Sequence, residues 1–338
     1  MIAALVLTLT TVAAAVLAPI PFVARSPGPV FDILGEVDGK QVLEISDSPT
    51  YPTTGTLDMT TVAESGGPAG PINVGTALVG LVSPDTSVLP DESSEQDRSA
   101  DQAVFDASQS QALGAAAHYL DRPVTTQVVV LQVASDSASQ GVLEPGDRIL
   151  RVNGTRIRDR RDVVDVVSSE PPGTEFRMVV ERDGEVRRVV VVSRPDPDDP
   201  QRGLIGIIPE DSYRSDFTAT VNLDGIGGPS AGLMLSVGMV DRLTPGDLLG
   251  GGTVAGTGTI DGDGAVGPIG GIDKKMLAAQ DAGAGLFLAP RDNCGEVVAA
   301  QPAGLTVVPV ADLTEAVAAI EAWRANRPLP GCPPAGDE

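Results

Sequence analysis

Apolar residues fill the start of the chain almost without interruption, then fall into short alternating runs, and later return at helical spacing. Residues 1–24 carry no charge, and Ile2 to Leu17 is nearly all Ala, Val, Leu, Ile and Thr. Roughly 20 apolar residues span a bilayer, so this stretch reads as an N-terminal transmembrane anchor. A cleaved signal peptide is the alternative, but no basic region precedes the run, and Pro19 follows Ala18 where a cleavage site would lie. After Ser26-Pro27-Gly28-Pro29, Gln41 to Ile45 and Gly55 to Val62 alternate as strands do. Pro84 to Arg98 is polar, acidic and proline-bearing and predicts an exposed loop. Ala103, Val104, Ala107, Leu113, Ala117 and Leu120 then recur with the period of an amphipathic helix over Ser99 to Leu120.

The next stretch, 123–196, has its own rhythm. Val128 to Val133 predicts a strand, Pro145-Gly146-Asp147 a turn into Arg148 to Val152, and Asp162 to Ser168 a short helix. Two further strands, Glu175 to Glu181 and Val186 to Ser193, flank the Asp183-Gly184 turn. Arg194 to Gly203 is a Pro- and Asp-rich linker. A last block, 203–325, opens with Thr218 to Leu223 and the glycine-rich Gly225 to Gly232, and a Pro-rich tail covers 326–338.

Composition narrows the function. A net charge of -23 repels nucleic acid and anionic lipid at long range, so nucleic acid is not an expected partner. The only histidine, His118, lies among alanines on the helix just described and reads as structural. No phosphate-binding G-x-x-x-x-G-K-[ST] occurs and the two cysteines lack metal-ligand spacing. Neither a metal nor another cofactor is therefore expected. Cys294 and Cys332 sit among loop-forming residues and are candidates for a disulfide tying down the tail, the alternative being two free thiols.

Two segments carry the chemistry. In Gly227-Gly228-Pro229-Ser230-Ala231-Gly232, the proline suits the first turn of a helix and the apolar Leu233 to Val240 follows as its buried body. Ser230 would then face free backbone N–H groups and the positive end of the helix dipole, which can stabilise an oxyanion; Gly228 and Ser230 are the candidate donors. The bland alternatives are a capping serine and a phosphate loop. Forty-five residues on, Gly270-Gly271 precedes a helix on which Lys275 shares an apolar arc with Ile272, Met276, Ala279 and Ala282, while Lys274 points toward solvent near Asp281. A lysine buried without a counterion loses hydration, its pKa falls, and the neutral amine can accept a serine proton.

Two resemblances follow from these residues. Small residues at Ser137 to Gly141, then Leu143 and Gly146-Asp147-Arg148-Ile149-Leu150-Arg151-Val152-Asn153-Gly154, resemble a PDZ domain of the bacterial HtrA-associated sort. That resemblance implies a peptide adding beside Val128, Val129, Val130 and Leu131, although no glycine-hydrophobic-glycine loop stands near Thr125 to Gln127. Gly228 to Gly232, Gly256-Thr257-Gly258-Thr259-Ile260 and Pro268 to Lys275 resemble, in order and spacing, the G-P-S-A-G, T-G-E-I and P-I-G-G-L-K-E-K segments of Lon peptidase domains. The alignment puts the family's catalytic lysine on Lys275 and implies that Thr257 supports it. Gly227 stands where ATPase-linked Lon enzymes often have an acid, and Thr259 replaces the Glu of T-G-E-I.

The layout is similar to the membrane-anchored, PDZ-bearing Lon-like (S16) proteases of Gram-positive bacteria. The expected fold is α/β (α+β): a Lon-type peptidase domain, 29–122 and 203–325, interrupted by a PDZ-like β-rich domain and preceded by the helix 1–24. The expected function is ATP-independent serine endopeptidase activity on unfolded or flexible polypeptides, at the cell membrane with the catalytic domain extracytoplasmic. The PDZ module would dock a substrate or partner, and the resemblance also suggests a homo-oligomer. An inert membrane-anchored PDZ scaffold is the alternative; a small-molecule kinase lacks support from the lysine segment.

Overall fold

A computed structural model describes residues 16–66, 72–83, 85–90 and 95–333. The principal elements of the first part are β1 (Phe22–Asp32), β2 (Thr56–Gly66), α1 (Val74–Val82), β3 (Ser87–Pro90) and α2 (Glu95–Tyr119). A β-rich module follows with β4 (Thr125–Val133), β5 (Arg148–Val152), α3 (Arg160–Ser168), β6 (Glu175–Arg182), β7 (Glu185–Val192) and β8 (Ile207–Arg214). The last part holds α4 (Gly232–Leu243), β9 (Thr253–Gly256), α5 (Ile272–Asp281), β10 (Leu286–Pro290), β11 (Thr306–Val310) and α6 (Leu313–Arg324).

One sheet joins the two outer parts of the chain, in the order β11-β10-β9-β2-β1-β3. Its β11, β10, β9 and β2 run parallel, β1 lies antiparallel to β2, and β3 lies antiparallel to β1. Such a mixed sheet needs cover on both faces. On one face lies α4, buried from Gly232 to Asp241, in a core with Leu57, Met59, Val254, Leu288 and Val308. On the other, α5 sets Ile272, Met276 and Ala279 against Ala255, Phe287 and Ala289. The β-rich module has a separate core built on Val128, Val130, Ile149, Phe176, Met178 and Val180. Its sheet has the order β7-β6-β5-β4-β8, with the short Thr155–Arg156 beside β5.

Three expectations change here. Residues 1–15 of the expected anchor lie outside the described residues. Its remainder is not a membrane helix: Pro19–Ile20 pairs with Ile72–Asn73 and β1 starts at Phe22, because Pro19 and Pro21 end helical structure. No helix of the described residues is long and apolar enough to cross a membrane. The expected loop Pro84 to Arg98 contains β3, whose Ser87 to Pro90 pairs with Phe22 to Arg25, and the start of α2. Finally, β8 lies in the part assigned to the peptidase domain, yet it pairs with β4 of the β-rich module from Ile207↔Val133 to Arg214↔Thr125.

Cys294 and Cys332 form a disulfide, and Cys332 packs against the α5 face of the sheet. The bridge closes a separation of 38 residues, which in the chain-entropy picture restricts the unfolded state by about 4 kcal/mol. Cys332→Ser is expected to lower the urea midpoint accordingly, with peptide turnover retained below the new midpoint.

Asp58 on β2 is a buried acid directly across from Asp32 on β1. Burial first, and the Asp32 charge second, push its pKa up from 3.8 to about 6. The folded state thus holds this proton more tightly than the unfolded chain. The contribution of this group to stability is greatest below about pH 4 and falls as pH rises through 4 to 6, by as much as ~3 kcal/mol. Asp58→Asn should raise the melting temperature at pH 7.5 and leave it nearly unchanged at pH 4. A variant less stable than the parent at pH 7.5 would contradict this.

Candidate active site

The three segments singled out by motif meet where β9 ends. Gly256 is its last residue, and Thr257 follows at the carboxyl end of the parallel strands, the usual ligand side of such sheets. Gly258 N–H donates to the Ser230 carbonyl at 2.9 Å, and the Thr257 hydroxyl donates to the same oxygen at 3.0 Å. The strand end therefore holds the serine turn directly. Ser230 itself lies in a turn just before the helix rather than in its first turn as the sequence implied: α4 begins at Gly232 with Ala231 as its N-cap.

Lys275 comes from the first turn of α5, after Gly271 in left-handed backbone (φ 69°). Its Nζ lies 2.6 Å from Ser230 Oγ and 3.0 Å from Thr257 Oγ1. Because the threonine spends its hydrogen on Ser230 O, its oxygen is left to accept from the amine. Thr257 thus orients the lysine toward the serine and fixes the serine backbone at once. Lys275 is 3% exposed, and burial lowers its pKa from 10.5 to about 8 with no opposing cause. Among the described residues, none of its hydrogen bonds is to a carboxylate.

Lys274 departs from expectation. It is 6% exposed, not solvated, and pairs with Asp273 at 3.1 Å rather than with Asp281. The solvated position fails because α5 packs against both β1 and β2 and leaves little of its circumference open. His118 is structural as read: Nδ1 is 2.6 Å from the Gly262 carbonyl.

The serine opens into a groove of about 990 Å³ lined by Met59, Val62, Ile226, Gly228 and Lys275 among others. Pairing of β9 with β2 stops at Met59, so from Thr60 onward β2 has only β1 beside it and turns its other edge to the groove. The Gly228 N–H is engaged, donating to the Asp101 carbonyl of α2 at 3.0 Å. A side chain at 227 would meet Asp101 Cβ at 2.9 Å. Glycine at that position is therefore what lets α2 approach the serine turn.

The expected peptide-binding strand is corrected. Val128 to Leu131 lie on β4, which is interior: β5 pairs along one side and β8 along the other. An added strand needs an unpaired edge; the two edges of this sheet are β7 and β8, and β8 is the one next to β4 and α3. β8 follows Gly203-Leu204-Ile205-Gly206, in which Gly203 and Leu204 pair with Pro195 and Arg194 and Gly206 stands at φ 74°. Toward its C-terminal half the β8 edge is covered from α2. There Tyr213 N–H donates to Ser110 Oγ at 2.7 Å, and Gln111 Nε2 donates to the Asp211 carbonyl at 3.0 Å.

Comparison with known proteins agrees with the two cores. Residues 224–320 match the Lon protease (S16) C-terminal proteolytic domain, and residues 108–192 match the PDZ domain. Among solved structures, the PDZ domain of the SdrC-like protein from Listeria innocua is 21% identical, covering 25% of this chain and 92% of that one (TM-score 0.23). A Geobacillus thermodenitrificans protein is 28% identical over 24% of this chain and 94% of its own (TM-score 0.22). The HtrA-type protease AlgW with a decapeptide is 30% identical over 21% and 22% (TM-score 0.19). No curated protein matches the chain. The chain carries a Lon-like (S16) proteolytic domain with a PDZ domain.

Proposed function

We propose that the chain is an ATP-independent serine endopeptidase working through a Ser230–Lys275 dyad. The observation that carries this reading is the buried Lys275 amine, 2.6 Å from one hydroxyl and oriented by a second. In its neutral form the amine takes the Ser230 proton as Oγ attacks the scissile carbonyl, and it returns the proton to the leaving amine. Water then repeats the sequence on the acyl-enzyme. The developing oxyanion would be met by backbone N–H groups at Gly228 and Ser230, and Gly228 serves once its bond to Asp101 O is exchanged for the substrate. The open edge of β2 offers backbone partners for an extended polypeptide beside the serine. The sequence holds no ATPase motif, so substrates are flexible or unfolded segments.

The PDZ domain would dock a substrate or partner peptide, and the place that fits is the N-terminal half of the β8 edge, beside α3. Anchoring through the apolar N-terminal segment, with the catalytic part outside the membrane, is the localisation we infer; the Cys294–Cys332 bridge suits an oxidising compartment. Assembly into a homo-oligomer rests on the family resemblance alone. Incubation with a disordered protein and mass spectrometry of the fragments tests the activity, with Ser230→Ala as control. Uncut substrate under conditions where the protein is folded would favour the PDZ scaffold instead.

A further inference from the structure

Helix α1, Val-Gly-Thr-Ala-Leu-Val-Gly-Leu-Val, contains no charged residue. It buries Ala77 and Gly80 and exposes Leu78, Val79, Leu81 and Val82. A Cβ at Gly80 would come within 2.8 Å of Val88 on β3. Leu78, Val79, Leu81 and Val82 are 55%, 64%, 68% and 82% exposed. Four large apolar side chains on one short helix form the kind of patch that marks a partner.

The neighbouring chain identifies that partner. Val16 packs against Gly75 at the start of α1, Val74 N–H donates to the Ala18 carbonyl at 3.2 Å, and Pro19–Ile20 pairs with Ile72–Asn73. Leu17 is itself 67% exposed. The uncharged apolar stretch that precedes these residues in sequence therefore joins the folded part right beside α1, with two further exposed apolar side chains at the junction. We propose that α1 lies in the interfacial layer of a lipid bilayer, with Leu78, Val79, Leu81 and Val82 immersed next to the N-terminal segment. The inference rests on the anchoring reading above and adds a second membrane contact to it. Because α1 has no Lys or Arg and the chain is strongly acidic, the contact is apolar and insensitive to salt, unlike basic amphipathic helices. It also sets the height of the active site: α1 packs on β3, whose Leu89 and Pro90 line the Ser230 groove. Polypeptide would enter that groove close to the membrane surface.

The test uses the full chain reconstituted into phosphatidylcholine vesicles, with an environment-sensitive fluorophore on Leu81→Cys. Val190→Cys on β7, also exposed, is the aqueous control. The native cysteines are bonded to each other and take no label. The expected result is a blue-shifted Leu81→Cys signal that lipid-attached quenchers reduce at least about twofold, unchanged at high salt, while the Val190→Cys signal stays unquenched. A chain that floats with the vesicles but gives matching signals at both positions overturns the proposal and leaves anchoring intact. Self-quenching between labelled copies without lipid quenching overturns it in favour of a second copy. A chain that does not float with vesicles removes both readings.

Discussion

Ser230→Ala and Lys275→Ala are each expected to reduce cleavage of a disordered polypeptide by on the order of 10³-fold or more, with the fold retained. The size follows from the geometry: one hydroxyl and one amine 2.6 Å apart act as a unit, so losing either removes the same proton transfer. The double variant should then be little worse than either single one. Lys275→Arg should be equally inactive, since a guanidinium stays protonated at any working pH and cannot serve as base. Circular dichroism and urea unfolding of each purified variant separate lost chemistry from lost structure. Substantial turnover in either alanine variant would remove the dyad assignment.

Lys275→Met is expected to be inactive and yet more stable than the parent. The folded pKa of about 8 lies below the 10.5 of the unfolded chain, so the unfolded state binds more protons between these values. Stability therefore rises with pH from about 8 to 10.5, and the cost of holding the lysine dry is fully present below pH 8. That cost is as much as ~3 kcal/mol. Methionine has a similar stem without the charge and should recover most of it at pH 7, with the gain shrinking above pH 8 and vanishing near 10.5. Denaturant midpoints of parent and variant across this range give the comparison directly. A less stable Lys275→Met at pH 7 would show that the amine is held by attraction rather than at a cost.

The site is legible in the sequence where local pattern and chemistry coincide. Gly270-Gly271 announces the start of α5, and helical spacing alone puts Lys275 among Ile272, Met276 and Ala279, the arc that the structure packs against the sheet. Lys274 shows the limit of the same arithmetic, because spacing tells which residues share a face but not how many neighbours a helix has. Strand β8 was missed for another reason. Ile207-Ile208-Pro209-Glu210-Asp211-Ser212-Tyr213-Arg214 lacks apolar alternation, and its partner β4 lies some 75 residues earlier. Its pairing is a nonlocal fact supported by α2 and α3, whose Gln111 and Arg160 bond to Glu210. Likewise the two outer stretches of the chain form one sheet through β2 and β9, an interruption that the motifs suggested and no local period could show. The cover of Gly228 N–H by Asp101 was invisible for the same reason, since α2 reaches the serine turn only in three dimensions.

The central claim is a neutral, buried amine activating one serine. Its most direct measurement is the rate at which a small acylating probe modifies the intact protein between pH 6 and 10, with the modified residue located by mass spectrometry. The account predicts modification at Ser230, with a rate that rises through a midpoint near 8 and is lost in Lys275→Met. At pH 7 the rate should be about a tenth of the plateau. A rate that does not change with pH, or modification of Ser230 that persists without Lys275, would contradict it.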